Sequence, residues 1–166
     1  MLKEACSHAA HSGNREVLEW LHNTGCPWNV ATCRMAARGG HLEVLEWARQ
    51  HGCPWDEATC AWAADGGHLA VLRWAREHHC PWNNSTCVCA AMTGQLAVLQ
   101  WARAHGCPWV ANVCVYAARA GHLAVLQWVR DNDTTGNVWD EDLVRRFAGG
   151  PRKQEVLTWL DELNAP

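Results

Sequence analysis

Apolar and polar positions in this chain follow two helical patterns that alternate and then recur. After Trp28, residues Cys33, Ala36 and Ala37 fall at i, i+3 and i+4, which gives a narrow face of small apolar side chains. Asn29 stands where a helix N-cap belongs, and Gly40 where the helix should close. The next stretch, about His41 to His51, spreads Leu42, Val44, Leu45, Trp47 and Ala48 over a broad arc. A helix apolar over that much of its circumference packs on more than one side. Gly52 is placed for a left-handed C-terminal cap, and Pro54 blocks continuation. The pattern predicts helix, tight turn, helix, tight turn.

The same pattern returns every 27 residues. Cys-Pro-Trp begins at Cys26, Cys53, Cys80 and Cys107, and the second-helix tryptophan recurs at Trp20, Trp47, Trp74, Trp101 and Trp128. Asp56, Asn83 and Asp140 repeat the N-cap place of Asn29. A fixed period of this size is the signature of a solenoid, in which each unit contacts only its neighbours. We read units at about 1–25, 26–52, 53–79, 80–106 and 107–133, with a divergent sixth at 134–163, in a single domain over 1–166. The ends differ from the middle. Gly13-Asn14-Arg15-Glu16 replaces the inner Gly-His-Leu, the last turn is lengthened through Asp131 to Gly136, and Pro151-Arg152-Lys153-Gln154 opens the final helix. Terminal repeats need a polar outer face, so the expectation is a capped and complete array.

Composition narrows the setting. A net charge of −3 leaves no basic footprint for nucleic acid or an anionic membrane. No run approaches the roughly 18 apolar residues of a membrane span, and Met1-Leu2-Lys3-Glu4-Ala5-Cys6 lacks the apolar core of a signal peptide. These features predict a cytoplasmic, reducing environment. Ten cysteines would fit a disulfide framework, but eight of them occupy two fixed places, at Cys26, Cys53, Cys80, Cys107 and at Cys33, Cys60, Cys87, Cys114. Cys6 fills the second place in the opening unit, and Cys89 alone is irregular. Helices stack about 8–10 Å apart, so equivalent cysteines in adjacent units exceed the roughly 7 Å that a disulfide spans between Cα atoms. Reduced, packing thiols are expected.

The run Ala36-Ala37-Arg38-Gly39-Gly40-His41-Leu42-Glu43-Val44-Leu45-Glu46-Trp47-Ala48-Arg49-Gln50-His51-Gly52 resembles the second half of an ankyrin repeat, and the likeness recurs over nearly the whole chain. The family's usual period of about 33 residues is shortened here. The missing residues fall between Trp28 and Thr32, where the family carries its projecting β-hairpin, and Ala31-Thr32 replaces the family's threonine-proline. Short units of this kind are similar to ankyrin-like arrays of large DNA viruses and of some algae and other protists. Some of those are joined to an F-box; none is visible here. The resemblance implies an all-α, right-handed, ankyrin-like solenoid with shortened or absent hairpins, binding partners through the exposed face of its first helices.

A helical wheel finds that face without the family. With Cys33, Ala36, Ala37 and Gly40 buried, residues 35 and 38 point outermost. The first place reads His8, Met35, Trp62, Cys89, Tyr116 along the array, and the second reads His11, Arg38, Asp65, Met92, Arg119. These vary while their neighbours stay fixed, and they include tryptophan, tyrosine and arginine, the types enriched at interface hot spots. Met35, Arg38, Trp62, Asp65, Met92, Tyr116 and Arg119 are therefore the candidate protein-binding residues. Eleven of the twelve tryptophans are periodic and read as a packing ladder rather than a ligand ladder, with Trp62 the exception. His41, His68 and His122 open the second helix in register, where Asn14 and Gln95 also stand, so they read as hydrogen-bonding helix starts.

Other chemistry has little to stand on. His78-His79-Cys80 is the densest set of potential ligands, and Cys87 and Cys89 point about 200° apart on a helix, so no metal site is expected. There is no phosphate loop and no nucleophile elbow. Arg49, Arg76, Arg103 and Arg130 form a regular row, expected to be solvated ion-pair decoration beside Glu46, Glu77 and Asp131. The sequence predicts a non-catalytic, monomeric protein-interaction module with no cofactor, metal or nucleic acid, whose partner is a protein, of the host if the array is viral. Two alternatives are a cysteine- and histidine-based sensor of metal or haem, and a structural repeat protein that self-associates through Trp62 and Tyr116.

Overall fold

A computed structural model describes residues 4–134 and 136–164. Met1, Leu2 and Lys3, on which part of the leader-peptide reading rests, and Thr135 of the lengthened turn lie outside them. Twelve helices and no strand occur among the described residues: α1 (Ala5–His11), α2 (Arg15–Asn23), α3 (Val30–Gly39), α4 (Leu42–Gln50), α5 (Glu57–Asp65), α6 (Leu69–Glu77), α7 (Asn84–Met92), α8 (Leu96–Ala104), α9 (Asn112–Ala120), α10 (Leu123–Asn132), α11 (Glu141–Phe147) and α12 (Lys153–Leu163). Helices this short are unstable alone, since isolated helices below about 12–15 residues are marginal. Packing holds them. The odd-numbered helices stack side by side in one layer, and each even-numbered helix packs on the odd one before it. This is an all-α repeat solenoid.

The small-residue face does what its spacing predicts. Cys33, Ala36 and Ala37 are fully buried, as are Cys60, Ala63, Ala64 and Cys87, Ala90, Ala91. Their short side chains let α1, α3, α5, α7 and α9 pack closely. The second layer supplies the larger core residues: Leu18, Leu45, Leu72, Leu99, Leu126 and Leu160 are all fully buried, each adding about 1.5–3 kcal/mol of hydrophobic stabilisation. The expected N-caps form. Asn29 accepts from the Ala31 amide at 2.8 Å, Asn83 from Ser85 at 2.9 Å and Asp140 from Leu143 at 2.9 Å, while Asp56 and Thr59 make a reciprocal capping box. Asn14, which the pattern placed only as a substitute for histidine, also caps its helix through the Val17 amide at 3.0 Å.

The in-register histidines fasten one unit to the next. The Nε2 of His41 donates to the His11 carbonyl at 3.0 Å, that of His68 to Arg38 at 3.0 Å and that of His122 to Met92 at 3.1 Å. Each ring lies flat against the turn of the unit before it. Gly40 shows why that turn needs glycine: φ is +77° and an added Cβ would stand 2.5 Å from the His68 ring.

The two ends are not alike. In the last turn, Asp133 Oδ2 accepts from the Val138 and Trp139 amides, both at 2.8 Å, and so orders the approach to α11. At the first end Arg15 is exposed and pairs with Glu19 at 2.6 Å, as a polar cap should. Yet Trp20 is 64% exposed and Val17 43%, where Trp47 and Val44, their equivalents one unit on, are 8% and 2%. The first unit thus keeps the apolar pattern of an inner unit, and its polar capping is only partial.

Candidate functional site

Helices α1, α3, α5, α7 and α9 bury their cysteine and alanine side toward the second layer and their neighbours, which leaves residues 35 and 38 and their equivalents on the opposite, inner face. The two columns differ in exposure. Arg38, Met92 and Arg119 are exposed, with Met92 at 39%. Met35, Trp62, Cys89 and Tyr116 are half-buried, and Met35 and Cys89 pack against the core. The column expected to stand outermost with residue 38 is therefore the floor of the face, and residue 38 and its equivalents form the rim.

The candidate residues fall into distinct groups. Arg38 pairs with Asp65 of the next unit at 3.1 Å, and its guanidinium lies 5.2 Å from the Trp62 ring centroid. Met35 packs into the core edge beside them. At the far end, Arg119 lies 6.0 Å from the Tyr116 ring and 4.7 Å from that of Phe147, while Arg146 lies 5.6 Å from Phe147 on the other helix. Cys89 and Met92 occupy the middle. Burial and the negative charge of Asp65 raise the Cys89 thiol, so it is a neutral, apolar element of the floor. Phe147 and Arg146 were not among the predicted residues. The divergent sixth unit hid them, although Arg146 stands 27 residues after Arg119.

The outer edge carries the periodic tryptophans, and the arginine row there is not ion-pair decoration. Arg49, Arg76 and Arg103 each donate to the carbonyl of the cysteine four residues on, Cys53, Cys80 and Cys107. Each also lies over the following tryptophan, Trp55, Trp82 or Trp109, at 4.2, 4.3 and 4.3 Å. A helix C-terminus leaves carbonyls without partners and favours a cation there; the indole face attracts the same charge. None of the three pairs with a carboxylate among the described residues. Arg130, followed four residues on by Thr134 instead of cysteine, keeps the expected contact, with Asp131 at 3.9 Å. The tryptophans meet in pairs across the turn: Trp28 with Trp47 and Trp55 with Trp74, at 5.7 and 5.8 Å, and so on to Trp139 with Trp159 at 5.7 Å. Edge-on contacts of this kind are packing. Two clefts in register, about 600 and 440 Å³, open along this edge, and their arginines and rings already serve one another.

The cysteines pair in a way that comparison of equivalent positions overlooks. The partner of Cys33 is Cys53, twenty residues on, and Cys60 with Cys80 and Cys87 with Cys107 repeat the contact. The hydrogen bond between the two thiols, with burial, pushes the first of each pair far above its ordinary ionisation. Burial alone does most of this for Cys114, pushed up to about 12. The thiol proton goes to a carbonyl in several cases, as from Cys53 to Asn29 at 3.4 Å. The His78-His79-Cys80 cluster disperses: His78 stacks on Trp74 at 4.2 Å, His79 is exposed in the turn, and the Cys80 thiol turns inward to the Asp56 carbonyl at 3.4 Å. Among the described residues, no group of three or more histidine, cysteine, aspartate or glutamate side chains is placed to hold a metal ion. No helix of the described residues is long and apolar enough to cross a membrane.

A stack of short helix pairs with a varied inner face and fixed glycine turns defines a helical-repeat protein. Residues 6–49 match the family model for ankyrin repeats (many copies), and the remaining helix pairs repeat that arrangement in register. Over residues 6–49 the chain is similar to ankyrin repeats. No curated protein matches it.

Proposed function

We propose that the chain is a non-catalytic protein-interaction module, and that its partner lies along the inner face over Trp62, Asp65, Met92, Tyr116 and Arg119. One observation carries this reading. In a chain whose buried positions repeat almost unchanged from unit to unit, the adjacent first-helix columns of residues 35 and 38 both vary, and the column of residue 38 is open to solvent at Arg38, Met92 and Arg119. Fixed positions answer the packing that all units share; varied ones answer something that differs along the array. The variation brings tryptophan, tyrosine, methionine and arginine together, the side chains that dominate interface energetics. The family supports it more coarsely, because ankyrin repeats generally mediate protein–protein interaction. An interface of standard size buries about 1,600 Å² in total, which a face spanning four or five helices supplies.

The test is a pull-down read by mass spectrometry, with the wild type beside a Trp62→Ala, Tyr116→Ala, Arg119→Glu variant whose helicity circular dichroism has checked. Proteins held by the wild type and lost by the variant are the expected result. Equal retention by both places the contact elsewhere and defeats the proposal.

A further inference from the structure

We infer that the inner face ends in a carboxylate-binding site between Arg119 and Arg146, and that the partner enters it with an aspartate or glutamate side chain. This rests on the inner-face reading above and adds the chemistry of what binds there.

Residues 38, 65, 92, 119 and 146 occupy the same place on consecutive first-layer helices, 27 apart. Arg38 reaches Asp65, at 3.1 Å, and the charges cancel. Arg119 and its successor in the series, Arg146, both lie against the ring of Phe147. The Arg119 and Arg146 guanidinium carbons gather on one ring, 4.7 and 5.6 Å from the centroid of Phe147. Both side chains are exposed, and neither has an ion-pair partner among the described residues. The neighbouring Arg145 takes both nearby acids, Glu141 at 3.0 Å and Asp161 at 2.7 Å. Asp142, one turn before Arg146, forms no ion pair with it. The fold thus sets two like charges together where, three units earlier, it sets opposite ones.

A carboxylate between the two guanidinium groups turns repulsion into charge-assisted hydrogen bonding, and guanidinium geometry suits a carboxylate in two-pronged contact. The rings of Phe147 and Tyr116 give the aliphatic stem of an acidic side chain a wall to lie on. Met92, exposed one unit before, extends that wall. The fitting segment carries an acidic residue at the Arg119–Arg146 end and an apolar one toward Met92. Because Arg38 is already neutralised by Asp65, the acidic residue is directed to this end alone, which also fixes the direction of the bound segment.

The experiment is selection from a display library of short peptides on the full chain, followed by affinity measurement with synthetic peptides. Enriched sequences should share an aspartate or glutamate next to an apolar residue, and replacing that acid by its amide should weaken binding at least about tenfold, as loss of a charged hydrogen bond does. Arg146→Asp is the decisive variant. It recreates the arrangement of Arg38 with Asp65, so it should fold as well as the wild type and yet lose the peptides. Lys153→Asp, the same charge change on an exposed residue of α12, should keep them. Peptides without an acid preference, or equal loss with Lys153→Asp, overturn the inference. Peptides that bind through Trp62 but ignore Arg119→Gln and Arg146→Asp overturn it while sparing the inner face. Peptides indifferent to Trp62→Ala and to both arginine changes overturn the inner face as well.

Discussion

Along the outer edge the same arrangement is built three times: Arg49 on Trp55, Arg76 on Trp82 and Arg103 on Trp109, each arginine also holding the cysteine carbonyl four residues on. Along the inner face, the same 27-residue interval gives arginine, aspartate, methionine, arginine and arginine. One backbone geometry therefore supports a repeated solution on one side and a changing one on the other. Where every unit faces an identical neighbour, packing admits one answer. Where a unit faces solvent, packing leaves its side chain free to vary. The uniform side is expected to carry the stability and the varied side the recognition.

The largest effect that tests this division lies on the uniform side. Trp47, 8% exposed and in contact with Trp28 and His51, should cost about 3–5 kcal/mol when changed to alanine. Its equivalent Trp20, 64% exposed, should cost less than about 1 kcal/mol. Arg38→Ala, on the varied side, removes an exposed ion pair and should also stay below about 1 kcal/mol. Chemical denaturation of the three variants gives the comparison directly. An inner-face variant as destabilised as Trp47→Ala would end the division of labour argued here.

A second, pH-dependent effect sharpens the same contrast. The thiols of Cys33, Cys60 and Cys87 lie far above the ordinary value of 9.0, and Cys114 is pushed up to about 12. A thiol whose folded value is raised stays protonated in the native state after the unfolded chain has ionised. Its contribution is thus complete below about pH 9 and is lost as pH rises toward the folded value. Cys114 should remove up to about 1.4 kcal/mol per pH unit above that point, whereas in the thiol pairs the hydrogen bond that raises Cys33 and Cys87 lowers Cys53 and Cys107, so those shifts oppose one another. The midpoint of urea unfolding against pH measures it, and Cys114→Ala should flatten the slope by one thiol's share. A stability that stays constant above that point rules out the raised Cys114 thiol.

Much of this was legible in the chain, because a repeat states its packing rules several times. Asn29, Gly40, Cys33 and Leu45 each sit in a pattern that local physics explains, and equivalent residues obey it elsewhere. Two kinds of feature escaped. The proximity of Glu46 and Glu77 in sequence points to ion pairs for the arginine row, whereas Arg49 and Arg76 fold back onto the cysteine carbonyl and the indole that follow. The thiol pairs escaped because stacking was judged between like positions, while Cys33 meets Cys53, an unlike one. Both are contacts between different places in the repeat, and a period alone does not reveal them. At the inner face the column of residue 38 was readable, but the site at its end was not, since Arg146 and Phe147 lie in a unit whose turn had changed length.

The smallest expected effect concerns the one break in the uniform turn. Gly25, Gly52 and Gly106 adopt φ of +78°, +80° and +81°, and the equivalent residue between them is His79 at +64°. A side chain fits there without collision, because a Cβ added at any of the three glycines would meet nothing within 4 Å. The cost is therefore in the backbone alone, about 1–2 kcal/mol for an L-residue in the left-handed region. His79→Gly removes that cost but gives the unfolded chain more freedom, which takes back about 0.4–1 kcal/mol. The net should be a stabilisation of about 0.5–1 kcal/mol in urea unfolding. Gly52→His should lose a similar amount, since it places the same side chain in the same open turn. If His79→Gly is instead destabilising, the imidazole makes a contribution that its exposed position does not explain, and this turn has joined the varied side of the molecule.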